Sequence, residues 1–532
     1  MMNQVKRSKN LIIEQGIMLL VLPLYFLIFI AECHALATIS QEHFSVAPMM
    51  AHTNRHYHAY FRFFSQHAHL YSEMIPADAI INIYNENKNI ESNEALQELL
   101  GIHHSFPSDA VTTTANYNEN HGGITRAGPV ILQLGGRDPQ NLALASEIGV
   151  RMGYDGINLN CGCPSNAVSG RSGGCAMMRD ASHVAECVER MSESIRNAEM
   201  ITHDNGVVEA KNEVQLSVKH RLGVRDASTY DADRDKGLSD DEAYFECEEF
   251  VRAITKNSNV SKLQVHARLG LLGDFTPERT AEGRLWTPNS ADQLKVPGGG
   301  DDSDGGDGKT SKKIDHKREQ YKAKKLARKA TIHNRSVPPL RPDVVNRLAE
   351  RFPHLEFVTN GGIKSTEDMR RRIDGTNVAG AMVGRSVINH PCSFSRVDGL
   401  WDDATTTTTA TSLPQWTRED VIQSHIQYCI REEERCKHQS DYHRELLRRR
   451  LVAVPFSLFA GEDGNNAYQR TVRKLGKRLK GRHMASSVLL GALTHVPMEV
   501  REKPITEFAS LDSIESYSEY TQRSGTLQRA IL

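Results

Sequence analysis

Eight short apolar runs limit what this chain can become. They occupy residues 44–48, 70–73, 130–134, 156–160, 214–219, 263–267, 355–360 and 379–383. Runs of this length between turn-forming residues read as strands buried on both faces, the pattern of a parallel sheet. Between several of them lie longer stretches with helical spacing, at 141–152, 181–196, 240–254, 341–351 and 365–372. Parallel neighbours need a crossover connection, usually a helix. Strand and helix in eightfold alternation therefore predict an α/β chain closed into a (β/α)8 TIM barrel over 43–400.

Two segments break the alternation. Residues 76–128, between the second and third strands, are polar and Asn-rich and read as an insert. A second insert, 280–333, holds the tract GGGDDSDGGDG, a composition that cannot bury enough apolar surface to order itself. The basic stretch that follows has ten Lys and Arg against Asp315 and Glu319 over 309–330. It is either a solvated helix or coil, or an arm that touches a polyanion. The Thr run within 404–415 reads as a linker, 416–500 as a small helical domain, and 501–532 as a tail without clear period. At the front, Lys6, Arg7 and Lys9 precede an uncharged run at 15–31, and Ala35-Leu36-Ala37 follows at the spacing of a cleavage site. Residues 1–37 thus read as a leader of secretory type. The run is short for a membrane span and contains Pro23, so membrane contact is expected only if the leader is retained. Lys plus Arg number 65 and Asp plus Glu 66, so any nucleic-acid contact must come from local patches and not from net charge. The nine cysteines are an odd number and scattered, which does not suit a disulfide framework.

In such a barrel the active site lies at the C-terminal ends of the strands. Strand one runs into Ala47-Pro48-Met49-Met50, strand three carries Gln133 and strand four ends in Asn160. Strand five ends in Lys219 followed by Arg221, and strand six in His266-Ala267-Arg268. Strands seven and eight end in Asn360-Gly361-Gly362 and Gly384-Arg385. Glycine at the last two ends lets backbone N–H groups approach a phosphate, with Arg385 adding a guanidinium; the glycines could equally make only tight turns. Lys219 has three readings: a Schiff-base amine, a fixed positive charge beside an electron-accepting ring, or a barrel-mouth ion pair. Cys163, on a Gly/Pro loop past strand four, is a candidate proton donor or nucleophile. Cys161 and Cys163 could also be read as metal ligands, but no paired second motif supports zinc, so no metal is expected.

These residues belong to motifs that follow one another in a fixed order: SVAPMM, LQLGGRDP, GYDGINLNCGCPS, SVKHRLG, VHAR, NRSVPPL, PHLEFVTNGGIKS and AMVGR. Together they resemble the tRNA-dihydrouridine synthases, and their spacing is most similar to the bacterial A-type subfamily. The resemblance covers roughly 43–389 without the two inserts. It implies an FMN-containing barrel with a small helical domain that reduces the C5–C6 bond of D-loop uridines (positions 20/20a) in tRNA with NADPH. Residue by residue, it places Pro48, Met49 and Met50 against the flavin, Gln133 in a flavin hydrogen bond, and Lys219 beside the isoalloxazine. His266, Asn360, Gly361, Gly362, Gly384 and Arg385 would hold the phosphate end. Cys163 would be the active-site acid, giving a proton to uridine C5 while hydride reaches C6. A neutral thiol suits an acid, so no strong positive neighbour depressing its pKa is expected. Asn160, Arg268 and Arg335 would contact the tRNA.

Arg470, Arg473, Lys474 and Lys477 fall at i, i+3, i+4 and i+7, one face of a helix, with no acid from 470 to 482. Such a stripe suits phosphate contacts, and its plain alternative is a solvated helix face. Two other functions remain open: a flavin-dependent barrel acting on a free pyrimidine, which would have no use for this stripe, and a catalytically silent tRNA-binding protein, which would have no use for Cys163 and Lys219. A monomer without protein partners is expected. Import into a plastid by the secretory route would reconcile the leader with a substrate and reductant that stay inside the cell; the alternative is the cytoplasm.

Overall fold

The computed structural model describes residues 41–90, 92–101, 128–164, 173–202, 208–210, 214–226, 230, 240–272, 338–400, 416–476 and 484–508. The leader, most of the first insert (102–127), all of the second (280–333), Arg335, the 404–415 linker and the end of the basic stripe lie outside these residues. Among the described residues no helix is long and apolar enough to cross a membrane.

Eight parallel strands close on themselves. They are β1 (Phe44–Val46), β2 (His69–Tyr71), β3 (Val130–Gly135), β4 (Gly156–Cys161), β5 (Gln215–Arg221), β6 (Val260–His266), β7 (Glu356–Asn360) and β8 (Gly380–Val383). Each pairs with its sequence neighbours, and β8 returns to β1 with Phe44 opposite Ala381 and Val46 opposite Val383. Every residue of β3 and β4 is buried, as strands covered by helices outside and side chains inside must be. The expected strands are all present, with ends that differ by up to three residues.

The helical layer is α1 (Arg55–Phe61), α2 (Ala77–Glu86), α3 (Glu94–Leu100), α4 (Pro139–Arg151), α5 (Ala181–Glu199), α6 (Asp240–Thr255), α7 (Pro342–Arg351), α8 (Thr366–Ile373) and α9 (Arg385–Asn389). Local chemistry sets their starts. Asp138 caps α4 by accepting from the Asn141 N–H at 2.8 Å, with Pro139 in the first turn, and Ser365 caps α8. Each such cap is worth about 1 kcal/mol. The first three helices have no counterpart in the sequence reading. Helix α1, RHYHAYF, buries five of its residues and so shows no polar face to betray its period. Helices α2 and α3 correct the view of 76–128 as an insert throughout, because Ile80, Leu96 and Leu100 are fully buried in the barrel's outer core.

The helices α10 (Arg418–Arg435), α11 (Asp441–Ala453), α12 (Asn465–Gly476) and α13 (Ala485–Leu493) follow. Thr417 and Asp420 form a capping box at the start of α10. One apolar core joins these helices to the β8–β1–α1 side of the barrel, running from Phe44, Phe61 and Phe394 to Ile426, Phe456 and Tyr468. His56 of α1 meets the Tyr428 hydroxyl of α10 at 2.8 Å. The residues just after 501, expected to be tail, are packed instead. Ile505 is fully buried, and the Arg418 guanidinium, 1% exposed, donates to the carbonyls of Pro504 (2.9 Å) and Glu507 (2.6 Å) and pairs with Glu462 (3.0 Å). A buried guanidinium needs acceptors, and this short irregular stretch supplies them from its backbone.

Candidate functional site

The strand ends gather most of the expected residues around one mouth. Lys219 leaves β5 half-buried, and its Nζ donates across the mouth to Asn360 Oδ1 of β7 at 3.2 Å. Asn360 is fixed in turn by donating to the Met382 carbonyl at 2.7 Å. Burial, and then the Arg221 guanidinium, push the Lys219 amine down to about 7. His266, opposite Asn360 in the sheet, is held well below its ordinary value. After burial, the four largest influences on it are the cations Arg221, Lys219, Arg268 and Arg385. Charges of one sign brought together at a protein surface call for an anion.

The turn after β7 shows why glycine is needed there. Gly361 and Gly362 have φ of +120° and +74°, which L side chains rarely adopt. A Cβ on Gly361 would stand 2.9 Å from the His266 ring, and one on Gly362 2.5 Å from Leu340. At the end of β8, a Cβ on Gly384 would meet only Ala47 and Met49, both at 3.8 Å, which leaves open room beside Met49. Arg385 begins α9 with its side chain exposed.

Pro48 and Met49 are half-buried on the loop after β1, and Met50 is 59% exposed. Two residues that the sequence reading missed hold this loop. Thr53 Oγ1 accepts from the Met49 N–H at 2.9 Å, and a Glu73 carboxylate oxygen accepts from the Ala51 N–H at 2.7 Å. Ala51 has φ +65°, a strained state for a non-glycine residue that this pinning maintains. Nothing in the local sequence marks Thr53 or Glu73, because their partners are backbone groups.

Cys163 sits half-buried past the end of β4. Its N–H and that of Gly162 both donate to Asn160 Oδ1, at 3.0 and 3.1 Å, and its carbonyl accepts from the Cys175 N–H at 3.0 Å. Two cationic side chains, Lys219 and Arg221, stand close to Cys163. The cause is strand geometry. Asn160 lies opposite Lys219 in the sheet, and residues 219 and 221 share one face of β5. Arg221 closes the loop further by donating from Nε to the Gly162 carbonyl at 2.9 Å. Cys161 is fully buried among apolar residues, where packing accounts for it.

The structure places Asn160 and Gln133 inward. Asn160 is 8% exposed and Gln133 1%, and the Asn160 amide donates to Gln133 Oε1 at 2.8 Å. Arg268 donates to the Pro338 carbonyl, and burial followed by Arg221 and Arg385 pushes it down to about 10. Arg470 and Arg473 lie on α12, in the helical domain. Arg470 and Lys474 are exposed, and Arg473 is half-buried with a buried Nε–H that has no hydrogen-bond partner among the described residues. Burial and Arg470 both lower Arg473, so the pair repels and would gain from a shared anion.

Comparison with known proteins adds an independent finding. The model of a family described as dihydrouridine synthase matches residues 45–288 and 327–461. The chain is 28% identical over 354 residues to a Synechocystis protein named tRNA-dihydrouridine(20/20a) synthase, covering 66% of this chain and 70% of the relative. A Pasteurella multocida protein of the same name is 28% identical over 362 residues, 68% of this chain and 74% of the relative. One from Xanthomonas campestris is 27% identical over 429 residues, 80% and 87% of the two chains.

Proposed function

The chain belongs to the dihydrouridine synthase family, and on that premise we propose that it reduces the C5–C6 bond of D-loop uridines in tRNA, at positions 20/20a, with FMN as carrier and NADPH as reductant. The observation that supports this best is the meeting of Cys163, Lys219 and a cluster of cations at one barrel mouth.

The residues fit a phosphate-bearing cofactor. Arg268, Arg385 and the Gly361–Gly362 turn offer charge and close backbone approach at one side. Lys219, pinned by Asn360, offers a positive charge next to them. FMN, when bound, would supply the hydride that reaches uridine C6. Cys163 gives its proton to C5, and the Asn160 amide holds the loop from which it does so. Since a stacked base cannot enter the mouth, the uridine must leave the stack. The cations of α12 hold the surrounding RNA by its phosphates. That stripe favours a tRNA over a free pyrimidine as substrate.

The purified protein should carry or take up FMN and raise dihydrouridine in tRNA from cells lacking it, when given NADPH. A colourless protein that takes up no FMN, or unchanged tRNA by mass spectrometry, would sink the proposal. Proton linkage offers a second check. With its amine at about 7, Lys219 is mostly neutral at pH 8 in the cofactor-free protein. A dianionic phosphate brought to the same mouth favours the ammonium form, so at pH 8 FMN loading should bring a net uptake of protons. By the same sign, affinity should decline as pH rises from about 7 to 10. Calorimetry in buffers of different ionisation enthalpy measures the uptake, and Lys219→Met should remove it.

A further inference from the structure

Below the mouth, the barrel interior is crossed by a line of side-chain amides. Asn160 Oδ1 faces the N–H groups of Gly162 and Cys163 at 3.1 and 3.0 Å. Those groups can only donate, so the Asn160 amide nitrogen must point away from them. It donates to Gln133 Oε1 at 2.8 Å. Gln133 Nε2 donates to Asn158 Oδ1 at 2.7 Å, and Asn158 Nδ2 donates to Gln264 Oε1 at 2.9 Å and to Ser217 Oγ at 2.9 Å. At the floor, Gln264 Nε2 donates to Glu42 Oε2 at 3.2 Å. Glu42, Asn158 and Gln264 are all fully buried.

The direction of this line is fixed independently at its two ends, and the two ends agree. Backbone donors fix the top. At the bottom, burial raises the Glu42 carboxyl, and the Oε2 that faces Gln264 also accepts from the Tyr71 hydroxyl at 2.9 Å and lies 3.7 Å from Lys262 Nζ. Turning over any one amide would set N–H against N–H, or C=O against C=O, at its neighbours.

We propose that Glu42 and Gln264 are positioning residues for the proton-donating thiol. Acting through Asn158, Gln133 and Asn160, they keep the Asn160 carbonyl facing the Cys163 loop, from the opposite end of the barrel. This rests on the reading of Cys163 as the acid.

Two variants test it. In Gln264→Leu the lowest link is missing and the line loses its anchor. In the double variant Glu42→Gln/Gln264→Glu, donor and acceptor of that link are exchanged while an acceptor oxygen still faces Asn158 Nδ2. One readout is alkylation of Cys163 by iodoacetamide, followed on its peptide by mass spectrometry. The other compares single-turnover uridine reduction with NADPH-driven flavin reduction in the loaded enzyme. The single variant should slow uridine reduction by about tenfold or more and change the alkylation rate, with flavin reduction within about twofold of wild type. The double variant should keep both quantities within about threefold of wild type. The proposal is overturned if the double variant is as impaired as the single, if both half-reactions fall together, or if the single variant changes nothing. A wild-type protein that makes no dihydrouridine would sink the functional reading, while the alkylation pattern would still decide for or against the amide line.

Discussion

Replacing Cys163 by Ala should lower uridine reduction by roughly 10²- to 10⁴-fold, the usual contribution of a positioned general acid. The rest of the site should survive the change. Every hydrogen bond that ties residue 163 to Asn160 and Cys175 is made by its backbone, which alanine retains. The half-buried thiol also contributes little to the core. FMN content and the rate of flavin reduction by NADPH should therefore stay within about twofold of wild type, which places the loss in the step at the base. Rapid-mixing spectroscopy separates the two half-reactions. Uridine reduction at an undiminished rate in the variant would remove Cys163 from the role of acid.

The second large effect concerns RNA. Changing Arg470, Arg473, Lys474 and Lys477 together to Gln should weaken tRNA binding and flatten its dependence on salt. Each phosphate contact contributes about 0.7–0.9 to the slope of log K against log salt, so losing four should reduce the slope by about 3. Gln is a good helix former, and the apolar side of α12, with Tyr468 and Val472 buried, is left intact. The helix should persist by circular dichroism. Tyr468 and Val472 face the core, while Arg470 and Lys474 are exposed, so these two cations and the core occupy different sides of one helix. Equal binding by the variant across a range of ionic strength would reduce the stripe to a solvated surface.

Much of the fold could be read from the order of residues because it depends on local pattern. An apolar run of five residues bounded by turns has few options, and eight of them in alternation with helices have one common solution. The glycines of the 361–362 turn were legible for a similar reason. Their role follows from backbone geometry, which leaves its mark at the residue itself: both have positive φ. Helix α1 escaped because a helix buried on nearly all sides shows no contrast between its faces. The packed stretch through Ile505 escaped because its partner, Arg418, lies more than eighty residues earlier in the chain.

The sequence by itself determined the barrel, the strand ends that would meet at its mouth, and the identity of the thiol, the amine and the glycines there. Only the tertiary structure decided how they act on one another. It set Arg221 and Lys219 near Cys163 and gathered four cations around His266. It also turned Asn160 inward to hold the loop, and ran the amide line from that loop down to Glu42. Pattern along a chain reports each residue's own preference for water or for backbone conformation. Electrostatic coupling and hydrogen-bond direction belong to pairs, and such pairs are made when closure of the barrel brings together residues as distant as Glu42 and Gln264.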